Sequence, residues 1–176
     1  MKSLTFGGKH MAVEKLLARL HELARHLPRP GCEWESRPEF LPAPDAAEVA
    51  AAEAIVGEPL PPDLLAFLRI SGGVVGMSIH NGYRLCGAKQ VADIRTDGWP
   101  PSIVRGPNGD ERVVPIAWDG GGNAFLLSPS TQAVWRWDHE TNVSQQVASS
   151  FTEFLERVVA DWQAYVADQP GWRFLV

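Results

Sequence analysis

The sequence VPIAWDGGGNAFLL, residues 114–127, consists of two short apolar runs on either side of a glycine-rich segment. Its Gly-Gly-Gly-Asn run, residues 120–123, lacks the lysine and the serine or threonine of a P-loop, and it lacks the spacing of a dinucleotide fingerprint. A strand pattern follows the glycines, where a phosphate-binding loop requires the start of a helix. The stretch therefore predicts a β-hairpin with a tight or bulged turn.

Short β patterns separated by turns extend to both sides of this hairpin. Turn signals occur at residues 81–82, 108–109 and 129–130. Loops this short favour antiparallel neighbours, because a parallel return requires a long crossover. The predicted strands cover residues 74–79, 83–86, 112–118, 124–128 and 133–138, with weaker patterns at 91–94 and 144–147.

An amphipathic helix is predicted near the N-terminus. Apolar residues at steps of three and four give one stripe over residues 11–27, and Pro28 and Pro30 end the helix. We expect the helix to dock on its own domain; a partner-binding or membrane-surface helix is the alternative. A proline-rich connector with little regular structure is predicted after it, up to Pro44.

Three further helices are predicted from their start and stop signals. Asp45 and Glu48 match a capping box, and Gly57 ends the helix that they begin. A prolyl pair at 61–62 introduces the next helix, which ends at the glycines 72–73. Ser150 and Glu153 match a second capping box, before a broad apolar stripe that continues to residue 166.

Helices before and after a block of strands predict the α+β class. We expect residues 1–176 to form a single domain, with a largely antiparallel sheet of about five to seven short strands covered by N-terminal and C-terminal helices. One common core is predicted to contain Phe67, Leu68, Phe125, Leu127, Phe154, Val158 and Trp162.

Composition and charge argue against several classes of protein. The 16 basic and 21 acidic residues give a net charge of −5, whereas general nucleic-acid binding requires a basic face. No apolar run approaches the roughly 20 residues of a membrane span. The first ten residues lack the apolar core of a signal peptide, and two cysteines do not make a disulfide framework. We therefore expect a cytoplasmic protein that binds neither nucleic acid nor membrane.

The acidic charge is concentrated in residues 31–70, where eight acidic and two basic residues give a net charge of −6. An acidic face attracts and orients a basic partner. The candidate partner-binding residues are Glu48, Glu53, Glu58 and Asp63, although such a face also serves simply as a solvated surface. The rival anchor is Trp99 in the loop predicted over residues 96–110, because aromatic residues dominate binding hot spots unless they tuck under their own loop.

Residues with catalytic or metal-binding chemistry do not form a recognisable motif. Asp138, His139 and Glu140 are adjacent, so their side chains alternate between the faces of a strand instead of converging. The histidines lack zinc-motif spacing, and Cys32 and Cys86 lie in no nucleophile motif. We accordingly predict no catalytic residue, no cofactor and no bound metal.

The tryptophans Trp135 and Trp137 share one face of a predicted strand, because side chains two residues apart point the same way. Packing on the sheet is the favoured interpretation, and a recognition surface is the alternative.

A set of motifs in a fixed order resembles the SUKH superfamily, the fold of a yeast cell-wall synthesis regulator and of many bacterial immunity proteins. The motifs are PDAAEV at 44–49, LPPDLLAFL at 60–68, SGG at 71–73, VPIAWDGGGNAF at 114–125, VWRWDHE at 134–140 and VASSFTEFL at 147–155. The resemblance covers Pro44 to about Trp162. The chain departs from the family pattern at Ser71, where asparagine is usual, and at Leu64, where an aromatic residue is frequent.

The resemblance implies a SUKH-like core over residues 44–168, preceded by the helix and connector of residues 1–43. It also implies a binding role without catalysis, most often as an immunity protein that neutralises a toxin domain inside the producing cell. A basic toxin domain is then the expected protein partner. The alternatives are a regulatory or scaffold protein of the same fold with a non-toxin partner, and a small enzyme whose site the motifs do not reveal. The oligomeric state is not indicated.

Overall fold

The computed structural model describes residues 5–27, 29, 31–32, 36–77, 83–97 and 100–169. The elements in these ranges are α1 (Thr5–Ala24), β1 (Glu39–Phe40), α2 (Ala46–Val56), α3 (Pro62–Ile70), β2 (Gly73–Met77), β3 (Tyr83–Cys86), α4 (Ala88–Asp97), β4 (Ile103–Gly106), β5 (Gly109–Arg112), β6 (Val114–Trp118), β7 (Ala124–Leu127), β8 (Val134–Asp138), β9 (Val143–Ala148) and α5 (Phe151–Val166).

Seven strands form one sheet in the order β1-β2-β3-β6-β7-β8-β9, and every neighbouring pair is antiparallel. Helix α4 and the separate hairpin β4–β5 are inserted between β3 and β6, which pair directly with each other. This architecture confirms the predicted α+β class with a largely antiparallel sheet. The predicted hairpin at residues 114–127 is β6–β7, with Ala117 opposite Phe125.

The two faces of the sheet lie in different apolar clusters, because side chains alternate along each strand. In β7, Phe125 and Leu127 point into the larger cluster with all five helices, while Ala124 and Leu126 point into a smaller one. All four residues of β7 are therefore buried. The larger cluster contains every member of the predicted core: Phe67, Leu68, Phe125, Leu127, Phe154, Val158 and Trp162.

The hairpin β4–β5 covers the second face of the sheet. Val104 of β4 packs in the smaller cluster with Trp135 and Trp137 of β8. The two tryptophans are only 5% and 6% exposed, so they pack on the sheet as favoured and do not form an open recognition surface.

Helix α1 docks on its own domain, as predicted, although it begins earlier than expected. Val13 and Leu20 are fully buried where α1 packs against α3 and α5. Beyond its C-terminus, the Arg29 guanidinium lies 4.0 Å from the centre of the Tyr165 ring and 3.0 Å from an Asp168 carboxylate oxygen. These contacts fasten the end of α1 to the end of α5.

The predicted capping box is complete at Asp45, whereas only half of the predicted box forms at Ser150. The Asp45 carboxylate accepts a bond from the Glu48 amide, the Glu48 carboxylate accepts one from the Asp45 amide, and Gly57 ends α2 in the left-handed region. At α5, the Ser150 hydroxyl accepts a bond from the Glu153 amide. The Ser149 hydroxyl and amide both donate to the Glu153 carboxylate, which lowers its pKa to about 2.

Two secondary-structure assignments made from the sequence are wrong. Residues 91–94 were expected in a strand, but they lie in α4, where Val91 and Ile94 are buried three residues apart at helical spacing. Residues 96–110 were expected to form a long loop, but β4 and the start of β5 lie within them. Both errors have the same cause. The β-branched residues and short polar runs of these segments adopt the structure that packs against the sheet, and a local sequence pattern does not encode tertiary packing.

Three glycines allow the backbones at the start of β2 and the end of β3 to approach closely. A Cβ on Gly87 would lie 2.8 Å from the Gly72 Cα and closer still to the Gly72 carbonyl. A Cβ on Gly73 would lie 2.8 Å from the Gly87 nitrogen, and Gly73 itself has φ +105°. The two glycines of the Ser-Gly-Gly motif are therefore required by the close approach of these backbones.

We predict that Gly87→Ala lowers the free energy of unfolding by about 1–3 kcal/mol, because the added methyl group overlaps backbone that cannot rotate away. Gly8→Ala in α1 is the control, since a Cβ there would meet no described atom within 4 Å beyond the adjoining backbone of α1, and a helical alanine is more stable than glycine by about 0.5–1 kcal/mol. Urea denaturation measures both changes. Equal and small effects of the two substitutions would contradict the close approach.

Candidate functional site

The acidic segment places Glu48 and Glu53 on α2. Glu48 is exposed and belongs to the capping box, while Glu53 is half-buried near the middle of the helix. The two acids are about 140° apart around the helix and lie at the two edges of its exposed side. The residues between them are apolar and exposed: Ala47, Ala50, Ala51, Ala54 and Ile55. We call this group of seven residues the α2 surface. It combines negative charge with small side chains that let another backbone approach.

Glu58 lies in the loop between α2 and α3 and forms an ion pair with Arg112 of β5. Its carboxylate is 3.7 Å from the Arg112 guanidinium, and the two side chains are 33% and 67% exposed. Surface pairs of this kind contribute at most about 1 kcal/mol to stability. Glu58 therefore links the covering hairpin to the helix layer, and a basic partner would have to compete with Arg112 for it.

Asp63 is fully buried, which corrects its assignment to an accessible acidic face. One carboxylate oxygen accepts bonds from the amide and the hydroxyl of Thr152, each at 3.0 Å. The other oxygen lies 3.1 Å from the amide of Leu64. Asp63 thus joins the first turn of α3 to the first turn of α5 and is not available to a partner.

The sequence indicates only one of the two contacts of Asp63, its position at the start of α3. An acid in the first turn after a prolyl pair is a recognised helix-start signal, because a carboxylate favours the positive end of the helix dipole. Its partner Thr152 is 89 residues away along the chain, and no spacing rule connects the two. The net charge of residues 31–70 includes Asp63, although this acid is buried.

Trp99 lies outside the described residues, so its assignment as an anchor stays a prediction. The residues that follow it line a groove of about 390 Å³ between β4 and the start of β9. Exposed Ile103 and Val143 lie on its walls, and Trp137 lies within it with its indole nitrogen 2.8 Å from the Asn142 side-chain oxygen.

The glycine-rich segment is a hairpin turn held by its own side chains, as predicted. One Asp119 oxygen accepts bonds from the amides of Gly121 and Asn123, and the other accepts from the Asn123 side chain. The Asn123 side-chain oxygen in turn accepts a bond from the His139 amide. These polar residues therefore organise two neighbouring turns.

Asp138 closes the β8–β9 turn in the same manner. Its carboxylate accepts bonds from the amides of Glu140 and Thr141 and from the Thr141 hydroxyl. The Thr141 bonds, above all the one from its amide, hold the Asp138 pKa below its usual value.

The two cysteines lie in different surroundings. Cys86 is buried in β3, and burial raises the pKa of its thiol to about 12. Cys32 is half-buried, with its sulfur 3.7 Å from the Arg29 guanidinium. Within the described part of the chain, no three His, Cys, Asp or Glu side chains are grouped so that they could hold a metal ion. No helix in that part is long and apolar enough to cross a membrane.

Comparison with protein families agrees with this architecture. The model of the SMI1 / KNR4 family (SUKH-1) matches residues 43–157. That range includes α2, α3, the whole sheet from β2 to β9 and the start of α5, and the chain belongs to this family. The SUKH resemblance of the sequence motifs is thereby confirmed, and membership of this family implies protein–protein interaction in general. Comparison with curated proteins returns no match.

We predict that Asp63→Ala lowers the free energy of unfolding by about 3 kcal/mol, because it leaves the Thr152 amide and hydroxyl without their charged acceptor. Asp63→Asn keeps an acceptor oxygen and should cost less. Glu156→Ala, an exposed acid on α5, is the control and should change stability by no more than about 0.5 kcal/mol. Chemical denaturation measures the series; a loss at Asp63 no larger than that at Glu156 would exclude the bridging role.

Proposed function

We propose that this chain is a bacterial immunity protein that binds a toxin domain and neutralises it without catalysis. The observation that carries the proposal is the α2 surface, which presents Glu48 and Glu53 within a family of protein-binding domains. A toxin domain that acts on nucleic acid needs a basic surface, and an acidic inhibitor can cover such a surface and associate with it rapidly.

The non-catalytic part of the proposal is supported by what the chemically capable side chains do. Asp63 bridges two helices, Asp119 and Asp138 close turns, and Cys86 is a buried thiol of raised pKa. Each of these groups is occupied by a structural task. Binding in the cytoplasm of the producing cell, before the toxin is exported, completes the proposal.

Co-expression tests the function directly. The proposal expects a gene for a large secreted toxin beside the gene of this chain. The C-terminal domain of that toxin should stop growth of a bacterial host when expressed alone, and co-expression of this chain should restore growth and yield a purified complex. Growth that stays arrested with no complex would reject neutralisation. A stable complex with a non-toxin protein would favour the regulatory or scaffold role instead.

We predict that Glu48→Gln with Glu53→Gln slows association with the partner and weakens its dependence on salt, because both charges steer the encounter. Glutamine retains the capping interaction at residue 48, so the fold is kept. The control, Glu140→Gln with Glu156→Gln, changes the net charge equally at exposed sites away from α2. Stopped-flow association rates over a salt series compare the two. Equal rates for both double variants would reject the α2 surface.

Glu58 and Trp99 remain part of the proposal with different expected effects. Glu58→Gln should slow association less than the change at Glu48 and Glu53, because Arg112 already offsets the Glu58 charge. Trp99→Ala should mainly speed dissociation if Trp99 is the anchor, since a desolvated aromatic contributes more to affinity than charges at the rim. The association rate therefore reports electrostatic steering by the acids, and the dissociation rate reports anchoring by Trp99.

A further inference from the structure

A small pocket of about 200 Å³ lies between the end of α1 and the segment that leads into β1. Three basic side chains line it: His21 of α1, Arg25 directly after that helix, and Arg37 of the segment before β1. No acidic side chain of the described residues lines this pocket. We call it the basic pocket.

Two of the three basic groups are held in place by contacts that leave hydrogen-bond donors for a ligand. The Arg37 Nε atom donates to the Leu27 carbonyl oxygen at 3.2 Å, and the terminal nitrogens of Arg37 bond to no described residue. The His21 ring stacks on the Phe40 ring with the centroids 3.6 Å apart, a contact that does not use the imidazole nitrogens. Donors that are already oriented bind a ligand at a lower cost in entropy.

The positive charge of the basic pocket is not balanced within the described part of the chain. The Arg25 guanidinium forms no ion pair with a described acid, and Glu22, the acid nearest to it in sequence, is bound by Arg19 at 2.6 Å. Burial, and secondly the charge of Arg25, lower the pKa of His21 from its usual value. An anion is the ligand that would balance this charge.

The end of a helix ordinarily repels anions, because its last carbonyl groups have no partner in the helix. At α1 these groups are bonded. The carbonyls of Glu22, Leu23 and Ala24 accept bonds from the amides three residues later in the chain. The Leu27 carbonyl accepts the bond from Arg37. The repulsion between the helix end and an anion in the basic pocket is therefore reduced.

The arrangement of the donors favours a phosphate group over a carboxylate. A carboxylate has two oxygens in one plane, and the fork of a single guanidinium is enough to bind both. A phosphate group presents three or more acceptor oxygens in different directions. The basic pocket supplies three separate basic groups from two segments of the chain, which matches the larger set of acceptors.

We propose that the basic pocket binds a phosphate group through His21, Arg25 and Arg37, as inorganic phosphate or as the phosphate ester of a small molecule. The bound group joins the end of α1 to the segment before β1. No residue of the α2 surface lines the basic pocket, so the inference is independent of the proposed toxin partner.

Titration of the isotope-labelled full-length chain with sodium phosphate, followed by two-dimensional NMR at constant ionic strength, tests the proposal. The amides around residues 21–25 and 36–40 should shift and saturate, whereas acetate should bind at least about tenfold more weakly. Arg25→Gln should weaken phosphate binding about tenfold or more, because it removes a charged donor. Arg25→Lys keeps the charge without the fork and should fall between the two. The control, Arg105→Gln on β4, removes an equal charge from a side chain that is 89% exposed and should bind as the wild type does.

A parallel titration with glycerol 3-phosphate distinguishes the two sources of the phosphate group. Tighter binding of the ester than of inorganic phosphate supports a phosphorylated small molecule, and the reverse order supports free phosphate. Shifts that do not saturate with either compound would overturn the proposal. Equal binding of acetate and phosphate, or equal losses in Arg25→Gln and Arg105→Gln, would overturn it as well. The amide spectrum itself verifies that each variant is folded.

Discussion

The buried carboxylate of Asp63 is the interaction on which the helix layer depends. It lies between the first turns of α3 and α5, where it accepts two bonds from Thr152 and one from Leu64. Both turns are positive ends of helix dipoles, so one negative charge stabilises two helices at once. Helix α1 packs against both helices, and Phe67 and Phe154 extend from them into the core above the sheet.

The burial of Asp63 also separates the acids of residues 31–70 into those with a structural contact and those on the α2 surface. Asp63 is committed to the interior, and Glu58 is shared with Arg112, whereas Glu48 and Glu53 remain on the α2 surface. Of the four candidate acids, Glu48 and Glu53 are therefore the two whose charge could meet a partner directly.

Local chemistry made much of the fold predictable. The caps at Asp45 and Ser150 and the turn at residues 120–123 depend on groups within four residues, so their patterns could be recognised. The contact of Asp63 with Thr152 and the covering of Trp135 by Val104 depend on tertiary packing, which no local pattern records. The sequence shows the excess of acidic residues that includes Glu48 and Glu53. Their exposure depends on how α2 packs, which the structure shows.

The amide of Thr152 offers the most direct test of this account. An amide at the second position of a helix has no partner within the helix and normally exchanges with solvent quickly. If Asp63 accepts its bond in the native state, native-state hydrogen exchange should show the Thr152 amide protected to nearly the stability of the whole domain. The amide of Ala47, at the equivalent position of α2, should exchange rapidly. Equally fast exchange at Thr152 and Ala47 would contradict the central role of Asp63.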